Sequence, residues 1–226
     1  MLKITNSIVL GLAESFRASG YPMISNDLDL NTESAKNSTN RAIKLGNVPH
    51  GSGHDNFLKG IIVQFDVKYS QYWSLQFQRY NFIDIVSSQS KMHRLTKMDT
   101  KESCNKYVDD IVIENMDKWI KIYNSFTEDF ALITREKDLF LEYRPEKTVT
   151  ELHYSLDKYE VFMKIISNTP MGLELTMRVS TNYLQLKTIY AQRKSHKLRE
   201  DWGVFCDFIE GLPYFKEICL KEAQKC

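Results

Sequence analysis

The sequence predicts an α+β fold in which a few strands are separated by helices. Apolar and polar residues alternate along 61–68 and again along 171–180, which is the period of a half-buried strand. Elsewhere apolar residues recur every three or four positions, as in amphipathic helices. A chain of 226 residues with 42% hydrophobic content can bury one substantial core, so we expect a single domain spanning 1–226.

Each element follows from its own pattern. Helical spacing predicts helices over six segments, namely 7–19, 70–80, 105–126, 154–166, 182–193 and 197–209, and the polar segment 31–45 is compatible with a seventh. Gly20 is expected to end the first helix and Pro213 the last. The segment 46–56 is rich in Gly, His and Asn, and 86–90 is rich in Ser, so both are predicted loops.

Charge and cysteine usage exclude several classes of function. Lys and Arg number 30 against 29 for Asp and Glu, so no global field favours a nucleic-acid polymer or an anionic membrane, and any anion must be bound locally. The apolar runs fall far short of the ~20 residues that span a bilayer. The four cysteines, Cys104, Cys206, Cys219 and Cys226, form no CxxC pair, and no signal peptide is recognisable. We therefore expect a cytoplasmic protein.

Motifs for metals and for common nucleotide folds are missing from the sequence. His50 and His54 share one loop, but no third ligand lies nearby, so we predict no metal. The glycines form neither a dinucleotide fingerprint nor a phosphate-binding loop.

Two junctions concentrate polar side chains that suit a ligand. In 76–94, hydroxyl, amide and cationic donors suitable for a phosphate group cluster at Ser87, Ser88, Gln89, Ser90, Lys91, His93 and Arg94. In 181–200, Asn182 can cap a helix after a strand, and that helix carries Arg193 on the same face as Leu186 and Tyr190. An ordinary polar loop and a solvated surface arginine are the alternatives.

The two junctions and the His54 loop together resemble the flavin-dependent thymidylate synthase family (ThyX), in a divergent branch like those of phages and Firmicutes. The stretch GHDNFLKGIIVQFDVK is similar to the family's Gly-His loop and the strand after it, which places Gly53 and His54 where the family contacts flavin. Arg79 matches the arginine that opens the family signature RHRxxSxNxxSxRY, and Gln76 stands before it, where the family has a glutamine.

The rest of the signature matches in part. Its second and third residues, His and Arg in the family, are Tyr80 and Asn81 here. Ser90 is the best match to the nucleotide-contacting serine, and the cation that follows it corresponds to Lys91 or Arg94.

Near the C-terminus the resemblance is closer. Asn182, Leu186 and Arg193 have the family spacing, and Pro170 stands where a proline precedes the strand. A family arginine four residues before that proline is Ile166 here.

The resemblance implies a twisted, mainly antiparallel sheet flanked by long helices, assembled as a homotetramer with sites at subunit interfaces. It implies reductive methylation of dUMP to dTMP with FAD as cofactor, and with methylenetetrahydrofolate and NADPH as co-substrates. The implied nucleotide-binding residues are Gln76, Arg79, Ser88, Gln89, Ser90, Lys91, Arg94 and Arg193. The implied flavin-binding residues are His54, Asn56, Arg79, Tyr80, Asn81, Asn182 and Thr188.

Arg193 is the expected catalytic residue. A fixed guanidinium can stabilise the negative charge that builds on the uracil carbonyls when C5 becomes nucleophilic. The flavin carries the hydride chemistry, so a catalytic cysteine is not needed.

Two other functions remain open. A related enzyme could transfer a hydroxymethyl group instead of a methyl group. Alternatively, the aromatic residues of 72–82 could form the core of an oligomer interface in a protein without catalytic activity.

Overall fold

The computed structural model describes residues 2–25, 35–49, 51–126 and 157–220. His50, Cys226 and the predicted helical residues 31–34 and 154–156 lie outside the described residues.

The strands of the described chain form one sheet. They are β1 (Lys3–Leu10), β2 (Ile62–Ser70), β3 (Asp84–Ser88) and β4 (Glu174–Asn182). Their order across the sheet is β1-β2-β4-β3, and both β1 with β2 and β3 with β4 are antiparallel.

The central pair, β2 and β4, also runs antiparallel. The Tyr183 amide donates to the Ile61 carbonyl at 3.1 Å, and Arg178 meets Asp66 at 3.1 Å. Residue numbers therefore fall along one strand as they rise along its neighbour. The predicted α+β fold with a mainly antiparallel sheet is confirmed.

Helices make up most of the remaining described chain. They are α1 (Leu12–Ala18), α2 (Ser38–Gly46), α3 (Gln71–Phe77), α4 (Lys91–Arg94), α5 (Thr100–Ser103), α6 (Asp110–Asn124), α7 (Lys158–Ser167), α8 (Tyr183–Arg193) and α9 (Arg199–Glu210). Two 3-10 helices cover Tyr21–Met23 and Asn56–Gly60, and a π-helical turn covers Lys216–Leu220.

The described residues fall into two compact units. Unit 1 takes its residues from Met1–Tyr69, Trp73–Ser88 and Thr176–Cys226, and unit 2 takes its residues from Ser70–Tyr72 and Gln89–Leu175. The expectation of a single domain stays a prediction.

The core of unit 1 is formed by the sheet and a cluster of buried aromatic residues that packs against it. Phe65 on β2 is fully buried, and its ring centroid lies 5.8 Å from that of Phe205 on α9. Trp73 stacks on Phe77 at 4.4 Å and meets Trp202 at 5.1 Å. Burial of aromatic rings supplies large apolar area, so this cluster fixes α3 and α9, which both contribute to the candidate site.

Unit 2 has a separate core between α6 and α7, built from Leu95, Met116, Ile120, Ile122, Phe126, Val161, Ile165 and Leu173. A capping box starts α7: the Asp157 carboxylate accepts from the Glu160 amide, and the Glu160 carboxylate accepts from the Asp157 amide, each at 2.7 Å. Ile166 packs against this core.

The first predicted helix is wrong in its N-terminal part. Residues 7–10 belong to β1, and only Leu12–Ala18 is helical. Gly11 separates the two elements with φ +74°, and a Cβ there would lie 2.5 Å from the Gly60 carbonyl oxygen. The helix-like spacing of Ile8, Leu12 and Phe16 therefore runs across a strand-to-helix junction.

The predicted serine-rich loop 86–90 is also partly wrong, because Asp84–Ser88 forms β3. Every residue of β3 is exposed, since it is an edge strand whose faces are not covered by the described residues. Without a buried face, alternation is missing from the sequence, and only backbone pairing with β4 defines the strand.

The other predicted elements are confirmed with shorter bounds. Both alternating segments are strands, with the predicted faces of β2 and β4 buried. Helices α3, α6, α7, α8 and α9 lie within or beside their predicted segments.

Candidate functional site

The Arg193 side chain, at the C-terminal end of α8, is held by two partners in unit 1. Its Nε donates to the Tyr80 hydroxyl at 2.7 Å, and its Nη1 donates to the side-chain oxygen Oε1 of Gln76 at 3.3 Å. Gln76 lies in α3, and Tyr80 follows that helix. The structure therefore brings together Gln76 and Arg193, which are both expected to bind the nucleotide, and Tyr80, which is expected to bind flavin.

The rings of Trp202 and Tyr80, which we call the aromatic floor, support the Arg193 guanidinium. Its Cζ lies 4.5 Å from the centroid of the Trp202 ring and 5.5 Å from that of Tyr80. These distances are within the range of cation–π attraction. Trp202 is fully buried, and its Nε1 donates to the same Gln76 oxygen at 3.1 Å. Gln76 therefore links the floor to the arginine that lies on it.

Tyr80 has a second hydrogen bond. Its hydroxyl accepts from Arg193 and donates to the side-chain oxygen Oε1 of Gln192 at 3.1 Å. Arg79 and Asn81, which flank it, are exposed. Tyrosine at the position where the family signature has histidine is thus a direct partner of the expected catalytic arginine.

Local sequence explains where Arg193 lies. The Asn182 side chain accepts from the Gln185 amide at 3.0 Å and starts α8 directly after β4. Arg193 ends this helix, where a positive charge interacts favourably with the helix dipole. The predicted cap at Asn182 is confirmed.

His196 was missed by sequence reasoning, although it lies beside this cluster. Its ring is 6.0 Å from Trp202, edge to face, and its Nδ1 accepts from the Leu198 amide at 3.1 Å. Burial, together with the charges of Arg193 and Lys197, lowers the pKa of His196. Because Nδ1 accepts the hydrogen bond from Leu198, the neutral ring carries its proton on Nε2.

The His54 loop lies in unit 1. His54 and Asn56 are exposed, and Gly53 has φ +81°. Between His54 and Asn56, Asp55 is buried and pairs with Lys187 of α8 at 2.9 Å. The sequence analysis did not predict this ion pair. The one feature that could have indicated it is the position of Lys187 directly after Leu186, which is buried.

Thr188 lies in the same helix as Lys187. Its hydroxyl donates to the Leu184 carbonyl at 3.1 Å.

Most of the predicted phosphate-binding residues lie in unit 2. The Ser90 hydroxyl caps α4 by accepting from the His93 amide at 3.4 Å. Lys91 donates to the side-chain oxygen Oε1 of Gln71 at 3.3 Å, and Arg94 donates to that of Gln89. Both candidate cations belong to the short helix that Ser90 caps. Ser88 is an exposed residue of β3 in unit 1.

The described cysteines are poor nucleophiles. Burial raises the pKa of Cys104 and of Cys206 to about 11, and that of Cys219 to about 12. Each therefore stays a thiol at neutral pH.

Within the described ranges, the His, Cys, Asp and Glu side chains form no group of three or more that could hold a metal ion. No helix in this part of the chain is long and apolar enough to cross a membrane.

Comparison with known proteins identifies the fold. No protein-family profile matches the chain, and no curated protein matches it in sequence. A crystal structure of Thymidylate Synthase X (ThyX) from Helicobacter pylori with FAD and dUMP is 14% identical, with a TM-score of 0.58 and coverage of 98% of each chain.

Two further structures are similar. A second structure of the Helicobacter pylori enzyme, described as flavin-dependent thymidylate synthase ThyX complexed with FAD and dUMP, is 15% identical with a TM-score of 0.59, and covers 97% of this chain and 100% of that one. The UMP/dUMP methylase PolB from Streptomyces cacaoi, bound with 5-Br dUMP, is 10% identical with a TM-score of 0.50, and covers 96% of this chain and 90% of that one. The chain therefore has a ThyX-like α+β fold.

Proposed function

We propose that this protein is a flavin-dependent enzyme that methylates a pyrimidine deoxynucleotide, converting dUMP to dTMP. The observation that carries the proposal is the fixed guanidinium of Arg193, held at Nε and Nη1 and supported by Trp202. It occurs in a fold shared with proteins whose structures contain FAD and dUMP.

The unused donors of Arg193 suit the uracil ring. A guanidinium has five N–H donors, and the described partners, Tyr80 and Gln76, accept from two of them. The remaining donors can hold a ring carbonyl and stabilise the charge that develops there when C5 attacks. Because the side chain is already fixed, little reorganisation is needed during the reaction.

The residues present fit an FAD molecule in their donor chemistry. Arg79 and Asn81 offer exposed cationic and amide donors, and His54 is exposed on its loop. Together with Asn56, Tyr80, Asn182 and Thr188 they would hold FAD. When bound, FAD would supply the hydride chemistry, with NADPH as reductant and methylenetetrahydrofolate as the carbon donor.

The nucleotide phosphate would be held by donors near Ser90. The Ser90 hydroxyl, the Lys91 ammonium and the Arg94 guanidinium are of the types that bind phosphate. The bonds from Lys91 to Gln71 and from Arg94 to Gln89 orient the two cations. Ser88 would add a hydroxyl, and Arg79 would reach the phosphate of a neighbouring subunit.

We also propose a cytoplasmic homotetramer with sites at subunit interfaces. Strand β3 is an edge strand that exposes Ile85 and Val86, with side chains 40% and 59% exposed, and Phe82 just before it is 61% exposed. An edge strand with apolar side chains is a template for pairing with another chain. Light scattering measures the assembly directly.

The first test is the visible spectrum of the purified protein with added FAD. Uptake of flavin, released again on denaturation, supports the enzyme. A colourless protein that takes up no FAD, combined with a stable oligomer in light scattering, would instead favour the non-catalytic interaction protein.

The second test is calorimetry of dUMP binding with Arg193→Ala. The loss of hydrogen bonds to a charged group corresponds to about 1.5–3 kcal/mol, so dUMP affinity should fall about 10–100-fold and turnover should be lost. The fold should persist, because Tyr80 keeps Gln192 as a partner and Gln76 keeps Trp202.

The control for this variant is Arg17→Ala. Arg17 is a surface arginine on α1 whose side chain is 39% exposed and meets Glu14 at 3.8 Å, and its removal should leave dUMP affinity unchanged. Unchanged affinity in Arg193→Ala would remove Arg193 from the site.

A hydroxymethyl-transferring enzyme is the second candidate. The departure from the family signature at Tyr80 and Asn81 favours it, since an altered site can accept a different product. Mass spectrometry of the product formed from dUMP, the folate donor and reductant separates the two.

A further inference from the structure

Lys187 of α8 is a largely buried cation, and each of its three N–H donors has an acceptor. Its ammonium donates to the Asp55 carboxylate at 2.9 Å, to the Gly46 carbonyl at 2.8 Å and to the Val48 carbonyl at 3.1 Å. An ammonium has three N–H donors, so each has an acceptor. The side chains of Lys187 and Asp55 are only 12% and 3% exposed.

The three acceptors lie at the two ends of one loop. We call this the His54 loop and define it by the described residues 47–49 and 51–55. Gly46 is the last residue of α2, and Asp55 directly precedes the 3-10 helix Asn56–Gly60. A single ammonium therefore joins both ends of the loop to α8.

Stability alone does not account for this arrangement. Burying two charges costs desolvation energy, and well-packed apolar residues of similar volume are often as stable. What a buried ion pair with full hydrogen bonding can provide is one specific arrangement of the segments that it joins. Here those segments are the His54 loop and the helix that begins after Asn182 and ends with Arg193.

We propose that Lys187, through Asp55, is a positioning residue that fixes the His54 loop for flavin binding. The inference rests on the proposed function. His54 is adjacent to Asp55, and Gly53 before it has φ +81°, a conformation that glycine adopts readily but does not itself fix. Fixing Asp55 sets the direction in which the chain passes through Gly53 and His54, so the loop is ordered before the flavin arrives and less ordering free energy opposes binding.

The test separates positioning from stability with two variants. Lys187→Met leaves the Asp55 carboxylate buried without its cation, so its melting temperature should fall. Lys187→Met combined with Asp55→Asn removes both charges, so most of this loss should be recovered while the tether remains absent. Lys59→Met is the control, because Lys59 is an exposed lysine of the adjacent 3-10 helix.

Two measurements are made on each protein. Hydrogen exchange of the FAD-free protein reports the order of 51–56, and titration with FAD reports flavin affinity. In the double variant we expect faster exchange across 51–56 and FAD affinity lower by about tenfold or more, despite its recovered stability. The control should match the wild type in both.

Three results would overturn these ideas, and they differ. Wild-type exchange and wild-type FAD affinity in the double variant would show that Lys187 does not position the loop. FAD affinity that simply follows melting temperature across the variants would reduce Lys187 to a stabilising role. A wild-type protein that takes up no FAD would overturn the proposed function itself, while the exchange measurement still decides whether Lys187 orders the loop.

Discussion

Replacing Gln76 by leucine tests whether the Arg193 site is assembled as the structure shows. The side-chain oxygen Oε1 of Gln76 accepts from Trp202 Nε1 at 3.1 Å and from Arg193 Nη1 at 3.3 Å. Gln76→Leu removes this one side-chain oxygen, which is the acceptor for both donors, while keeping a side chain of similar length. The Trp202 N–H and the Arg193 guanidinium both lose this partner. The loss of unfolding free energy depends on how deeply each of the two donors is buried.

Trp202 dominates the expected loss. Its side chain is fully buried, so its N–H stays without a partner, at a cost of about 1–3 kcal/mol. Arg193 is only partly buried and reaches solvent, so its lost bond contributes little. We expect the free energy of unfolding to fall by about 2 kcal/mol, which lowers the melting temperature by about 4–8 °C for a chain of this size.

Urea unfolding, followed by tryptophan fluorescence, measures this loss. Gln78→Leu is the matched control, because Gln78 is an exposed glutamine just beyond the same helix, and it should change the free energy of unfolding little. Gln76→Glu keeps an acceptor for both donors and should be less destabilised than Gln76→Leu. Equal stability of Gln76→Leu and wild type would contradict the hydrogen bonds from Trp202 and Arg193 to Gln76.

Two further predictions concern neighbouring residues. Because burial and nearby positive charge hold the pKa of His196 below its ordinary value of 6.5, the unfolded chain takes up this proton first. The free energy of unfolding therefore falls as the pH drops below 6.5, the pKa of the unfolded chain, toward the lower pKa of the folded protein. His196→Gln should reduce this fall in urea titrations between about pH 7.5 and about pH 5. Asn182→Ala removes the cap of α8 and should lower the free energy of unfolding by about 1 kcal/mol in the same assay; no change would mean that Asn182 does not cap the helix in solution.

Strong local signals account for the parts of the fold that the sequence predicted. Alternation along β2 and β4 reflects strands with one buried face, and the asparagine at 182 marks the start of α8 through its own hydrogen bond. Edge strands lack such a signal. Every residue of β3 is exposed, so its serines predict a loop, although its backbone pairs with β4.

The candidate site was predicted only in part, because its contacts are long-range. Gln76 and Trp202 are 126 positions apart, and Lys187 and Asp55 are 132 apart. Spacing along a chain reports which residues share a helix face or a strand face. It does not report which distant side chains meet, so Trp202, His196 and Lys187 had no signal that ties them to Arg193 or His54.

Packing explains the residues found at two positions where the chain differs from the family that it resembles. Ile166, where the family has an arginine, packs against the apolar core of unit 2, a place unsuited to an unpaired cation. Tyr80, where the family has a histidine, is a hydrogen-bonded partner of Arg193 and lies against Trp202 with ring centroids 6.4 Å apart. At both positions the residue present is thus satisfied by its own surroundings. Arg193 is fixed by tyrosine, glutamine and tryptophan, and under the proposed function a fixed guanidinium is what charge stabilisation on a pyrimidine ring requires.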